Sequence, residues 1–130
     1  MQKLLISLSI FSISTLVSAE KWDYSKALKS VANNEAELAM CAPAPEDAGE
    51  CYESTISQYS KMIKEIRSQN STKLDTRLWQ SINLNYKNAI DTCRSENNIS
   101  VNRLFFYPYQ DCMTNHLHNL LITTIELHLK

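Results

Sequence analysis

Apolar residues recur at intervals of three and four through most of this chain, the spacing that aligns one face of an α-helix. Across residues 22–40, Tyr24, Leu28, Val31, Ala32 and Leu38 keep that period while Lys26, Lys29, Asn33 and Glu37 fall elsewhere, which predicts a first helix. Pro43 and Pro45 end it, since each lacks an N–H and disfavours helix at the residue before it. The second helix carries Tyr52, Ile56, Tyr59, Ile63 and Ile66 on one stripe with Met62 beside it, and leaves Ser54, Ser57, Lys61 and Lys64 in water. Asp47 with Glu50 is its candidate cap, and it closes in residues 68–71, whose polar side chains compete with the helical backbone.

Thr72 with Asp75 can cap a third helix, the longest, along Leu74, Leu78, Ile82, Tyr86, Ala89 or Ile90, and Cys93, with Trp79 bordering the stripe. It fades near Asn97 and Asn98. After Pro108, Asp111 serves the start of a fourth helix with Met113, Leu117, Leu120, Leu121 and Thr124 inward. Ile122, Thr123, Thr124 and Ile125 are stiff β-formers, so a strand competes there. A single strand would have no partner in this chain, and helix is the expectation.

Four helices joined by short connections predict an all-α fold, a small antiparallel four-helix bundle. The first helix ends at Cys41, the second opens at Cys51, the third closes at Cys93 and the fourth opens at Cys112. An up-down order therefore gathers all four sulfurs at one end. Cys41 with Cys51 and Cys93 with Cys112 is the favoured pairing, each bridge stapling consecutive helices. Cys51 with Cys93 and Cys41 with Cys112 ranks second. Zinc is the rival use of four cysteines, but no Cys-x-x-Cys pair occurs and the spacings match no common finger.

The leader changes how those cysteines are read. Lys3, the apolar run over residues 4–16 and the small residues Val17, Ser18 and Ala19 predict a signal peptide over residues 1–19, with a single helical domain over 20–130. The run is too short to span a bilayer, so no stable membrane insertion is expected. Four cysteines in an exported chain read as two disulfides, and the expected location is periplasmic or secreted after cleavage. Without Lys3, 12 basic residues stand against 14 acidic ones, which is no footprint for nucleic acid. Gly49 is the only glycine, which removes the phosphate-cradling loops of nucleotide sites and leaves no cofactor expected.

No catalytic constellation emerges, and the chain reads as a non-enzyme. His116 and His118 stand two apart, pointing to opposed sides of a helix, so they cannot share a metal ion there. With His128 they read as solvated or partly packed imidazoles, and no metal site is expected. Glu35, Glu37, Glu46, Asp47 and Glu50 read as surface charge and caps. Recognition remains. Arg103, Phe105, Phe106, Tyr107 and Tyr109 form a dense aromatic run in the connection between Cys93 and Cys112 and are the candidate partner-binding residues, aromatics and Arg being the types that dominate interfaces. The alternative use of these side chains is to plug the bundle end beside the disulfides. Trp22 reads as a cover for a helix end.

The four-cysteine order, with Tyr59 after the second cysteine, an amphipathic helix leading into Cys93 and a leucine-rich helix after Cys112, resembles the LprI-type family. These are small exported bacterial helical proteins named for lysozyme inhibition, and the likeness covers residues 41–127. It implies a helical disulfide-bonded fold and a lysozyme-like partner. Trp79, fourteen residues ahead of Cys93, and the lack of an arginine after Cys112 depart from the family's pattern. The expected function is thus an exported non-enzymatic protein that binds another protein, an inhibitor of lysozyme-like cell-wall hydrolases. The alternatives are a periplasmic immunity protein against a secreted toxin and a structural or assembly factor of the envelope. The sequence sets no oligomeric state.

Overall fold

A computed structural model of the chain describes residues 21–43, 48–70, 76–96 and 108–130. The signal-peptide segment, the caps at Asp47, Thr72 and Asp75, and most of the aromatic connection lie outside them. The described residues build four helices and no strand: α1 (Tyr24–Cys41), α2 (Ala48–Gln69), α3 (Thr76–Glu96) and α4 (Pro108–Leu129). None is long and apolar enough to cross a membrane.

Local chemistry explains the ends. Asp23 caps α1 from an extended conformation, its carboxylate accepting from the Lys26 N–H at 2.7 Å. Pro108 opens α4, where its fixed φ suits a first helical residue and its missing N–H costs nothing, and Asp111 lies in the first turn, favourable to the helix dipole. The β-formers of α4 sit in helix as expected. Thr124, fully buried, donates its hydroxyl to the Leu120 carbonyl at 2.7 Å and so brings no unsatisfied polar group into the core. Thr114 to Gln110 and Thr55 to Cys51 repeat this arrangement at 2.7 and 3.0 Å.

Direction follows from the cross-contacts. Tyr52 at the start of α2 reaches Asp111 at the start of α4, and Tyr59 two turns on meets His118, so α2 and α4 run parallel. Trp22 to Glu65 and Ser30 to Met62 set α1 antiparallel to α2. Tyr24 to Glu126 and Glu35 to His118 do the same against α4, and Cys93 to Cys112 with Trp79 to His128 set α3 antiparallel to α4. The bundle is therefore up-down-up-down but flattened. The two parallel helices, which occupy a diagonal, make the most extensive contact; α1 packs on both, and α3 packs on α4.

The core gathers Ala27 and Val31 of α1, Tyr59, Met62, Ile63 and Ile66 of α2, Trp79 of α3, and Leu117, Leu120, Leu121 and Ile125 of α4, with Trp22 covering one end. Several inward positions shift from the sequence pattern. Ala32 is exposed, and α1 instead buries Ala27, Val31 and Asn34 at intervals of four and three. Leu78, expected on the α3 stripe, is 46% exposed, because α3 touches only α4 along its backbone and turns Trp79 inward instead. His128, expected solvated or partly packed, is fully buried against Trp79.

Candidate functional site at the disulfide pole

Cys41 pairs with Cys51 across a Cα separation of 6.1 Å, and Cys93 with Cys112 across 5.7 Å, the favoured connectivity. Because α2 and α4 start at the same end, both bridges sit at one pole. The Tyr52 hydroxyl, donating to Asp111 Oδ1 at 3.2 Å, ties their neighbours together. Partial burial, then the Asp111 charge, push the Tyr52 phenol above its ordinary pKa. Two disulfides fit an oxidising, extracytoplasmic setting.

Of the candidate partner-binding residues, only Tyr109 is described; Arg103, Phe105, Phe106 and Tyr107 lie outside the described residues. Tyr109 stands half-buried in the first turn of α4, over the last turns of α3. Arg94 Nη2 donates to its hydroxyl at 3.3 Å, and the guanidinium carbon lies 6.0 Å from the ring centroid. Asp91 holds the same guanidinium at 3.5 Å. Tyr86, one turn or two back on α3, has its phenol pKa raised by burial and then by the nearby Tyr109 oxygen. Below Tyr109 the α3–α4 groove, about 290 Å³, is lined by Ile82, Tyr86, Asn119 and His116 among others. The pole thus presents arginine, tyrosine and imidazole on a frame fixed by covalent bonds.

Arg94 and His116 were not legible as members of this site from composition, although Arg94 adjoins Cys93 and His116 follows Cys112 by one helical turn. Once the Cys93–Cys112 bridge is drawn, both fall beside it. A second convergence lies midway along the bundle. Glu35 of α1 pairs with His118 of α4, and the His118 ring lies 5.9 Å from that of Tyr59 on α2 at 55°. Burial, then the Glu35 charge, push the Tyr59 phenol up to about 12. This triad joins three helices.

At the far pole Trp22 Nε1 donates to Glu65 at 2.7 Å, and Arg67 stacks on Trp79 with its guanidinium carbon 3.9 Å from the ring centroid. Comparison with known protein families, with curated proteins and with solved structures finds none that matches this chain.

Proposed function

We propose that this chain is an exported, non-enzymatic protein that works by binding another protein, with a lysozyme-like cell-wall hydrolase as the partner it inhibits. The observation that carries the reading is the Arg94–Tyr109 pair. A guanidinium whose side chain is 63% exposed sits on a half-buried phenol, next to a disulfide that holds both helices. Arginine and tyrosine are the types that dominate interface energetics, and the bridge fixes the two helix ends that carry them. The cysteine order, which resembles that of the LprI-type family, supports the same partner class, and the expected leader supports delivery to the periplasm or medium.

Arg103, Phe105, Phe106 and Tyr107 belong to the proposed surface by their position in the chain between Cys93 and Tyr109. The broad apolar face of α4, which on its own would suit an assembly factor, is met by α1, α2 and α3 within the chain. An immunity role would use the same pole against one toxin rather than a hydrolase. The test is a lysis assay in which the purified mature protein meets a panel of lysozymes and amidases, followed by gel filtration of each mixture. Inhibition with co-elution is expected for at least one hydrolase. No inhibition and no co-elution across the panel would remove the hydrolase reading.

A further inference from the structure

The Cys93–Cys112 bridge has a third donor beside it. Cys112 and His116 stand one turn apart on α4, so they share a face, and antiparallel packing brings Cys93 of α3 to the same point. The two sulfurs and an imidazole nitrogen of His116 lie within 4.8 Å of one another, and among the described residues this is the one grouping of three or more metal-ligating side chains. We infer that reduction of this bridge turns it into a Cys2His site for zinc, so that the same two helices are held by a disulfide or by a metal ion according to redox state.

The dimensions suit the exchange. Tetrahedral zinc with Zn–S near 2.3 Å separates two thiolates by about 3.8 Å. The 5.7 Å Cα separation accommodates that with side-chain rotation, and the imidazole needs to close by only a fraction of its present reach. Soft thiolates with one imidazole are the donor set that zinc prefers among divalent ions in cells. Cys93 is fully buried, which excludes water from one side, while Cys112 and His116 are half-buried. His116 also lines the α3–α4 groove, so the fourth position of a three-ligand site opens there to water or an incoming ligand.

The chemistry balances with a dithiol as reductant. The S–S bond accepts two electrons and two protons to become two thiols while the dithiol becomes a disulfide. Zinc then displaces both thiol protons as the Zn–S bonds form. Among the described residues the grouping does not extend to Cys41 and Cys51.

The experiment follows alkylation of each cysteine by mass mapping in the full mature chain, reduced by a dithiol that is then removed, with and without added zinc. Zinc is expected to protect Cys93 and Cys112 while Cys41 and Cys51 react. H116A should weaken that protection by at least about tenfold in zinc concentration, the effect that even an outer partner of a metal ligand has. Cobalt in place of zinc should give the visible bands of a tetrahedral thiolate site in the natural chain and lose them in H116A. The readout needs no prior folding of the reduced chain, because an unfolded chain that zinc cannot organise would show no selective protection. Equal protection of all four cysteines, none at Cys93 and Cys112, or protection unchanged in H116A would each overturn the inference. So would a site that takes copper(I) and not zinc. Hydrolase inhibition by the oxidised protein is read separately, so either idea can fail alone.

Discussion

Helices α3 and α4 are of nearly equal length, 21 and 22 residues, and lie antiparallel against each other, yet they stand in opposite relations to the core. From α4, Leu117, Leu120, Leu121 and Ile125 are buried, together with Thr114, Thr124 and His128; from α3, among its described side chains, only Trp79 and Cys93 are. The apolar residues of α3 fall on one stripe, whereas those of α4 spread round the helix. A one-sided stripe serves a helix with one neighbour, and α3 has α4 alone along its backbone. An even spread serves a helix with neighbours on several sides, and α4 meets all three others. Packing on several sides therefore holds α4, while packing against α4 alone and the Cys93–Cys112 bond hold α3.

The sharpest way to break this contrast is to truncate one leucine in each helix. Leu121, with no exposed surface, should cost about 2–5 kcal/mol as Leu121→Ala, the lost transfer energy plus an unfilled cavity. Leu84, 58% exposed on α3, should stay within about 0.5 kcal/mol as Leu84→Ala. Urea unfolding of both variants checks this, and equal losses would mean that α3 is as deeply packed as α4.

Removing the bridge comes next. Cys93→Ser with Cys112→Ser should cost about 3 kcal/mol, by releasing the unfolded chain from a loop closed across nineteen positions. Amide exchange should speed up first in α3, with α2 and α4 still protected, because those two keep their mutual seam. Exchange rising uniformly through all four helices would show that α3 does not open as a separate unit.

Alkali probes the seam itself. Tyr59, 1% exposed on α2, has a phenol raised to about 12 against an ordinary value of 10. The unfolded chain thus ionises first, and stability that is complete below pH 10 is lost as pH rises through about 12. Tyr24, Tyr52 and Tyr86 are shifted in the same direction and add to the loss. Tyr59→Phe should move the alkaline unfolding midpoint, followed by circular dichroism, to higher pH while changing neutral stability little. An unmoved midpoint would place the alkaline loss elsewhere.

Much of the architecture was readable because it depends on period and order. Proline at 43 and 108 and the three-and-four spacing set the helices, and the position of each cysteine at a helix end predicted the shared pole; it favoured the observed pairing without choosing it over the others. What could not be read was which helix takes the centre. A stripe on α3 looks as good a core face as any until a neighbour is assigned to it. Thr124 was expected inward and is buried, but the burial of Asn34, His128, Thr55 and Thr114 depends on partners and back-bonded hydroxyls that no spacing reveals. The site was readable only in part for the same reason. Tyr109 could be picked by type, but Arg94 and His116 gain meaning from the bridge next to them. Glu35 with His118 needs two helices 83 positions apart to meet.

Arg67 tests the smaller holds on α3. Its guanidinium lies 3.9 Å from the Trp79 ring centroid, and burial lowers its pKa, so it has given up some hydration for that stack. Arg67→Ala should cost about 1 kcal/mol, with Arg67→Lys recovering part of it, since an ammonium also attracts the ring face but cannot stack flat on it. Thermal unfolding reads both, and a neutral Arg67→Ala would leave the disulfide as the main tie between α3 and the rest.

The smallest stability effect is expected at the pole proposed to bind a partner. Arg94 is mostly exposed, and its hydrogen bond to Tyr109 is 3.3 Å long in contact with water, so Arg94→Ala should change the unfolding free energy by no more than about 0.5 kcal/mol. Its loss at the proposed interface is another matter, because docking would remove water from the guanidinium and the Tyr109 ring together. There Arg94→Ala should weaken the hydrolase complex by tenfold or more, about 1.4 kcal/mol, measured by titration calorimetry. Tyr109→Ala should follow it in binding but cost more in stability, since half of its ring is packed over α3. If Arg94→Ala left binding unchanged while Tyr109→Ala only lowered the melting temperature, the pair would be a latch that closes α4 onto α3, and the contrast between a packed helix and a tethered one would have to be redrawn with Tyr109 among the packing contacts.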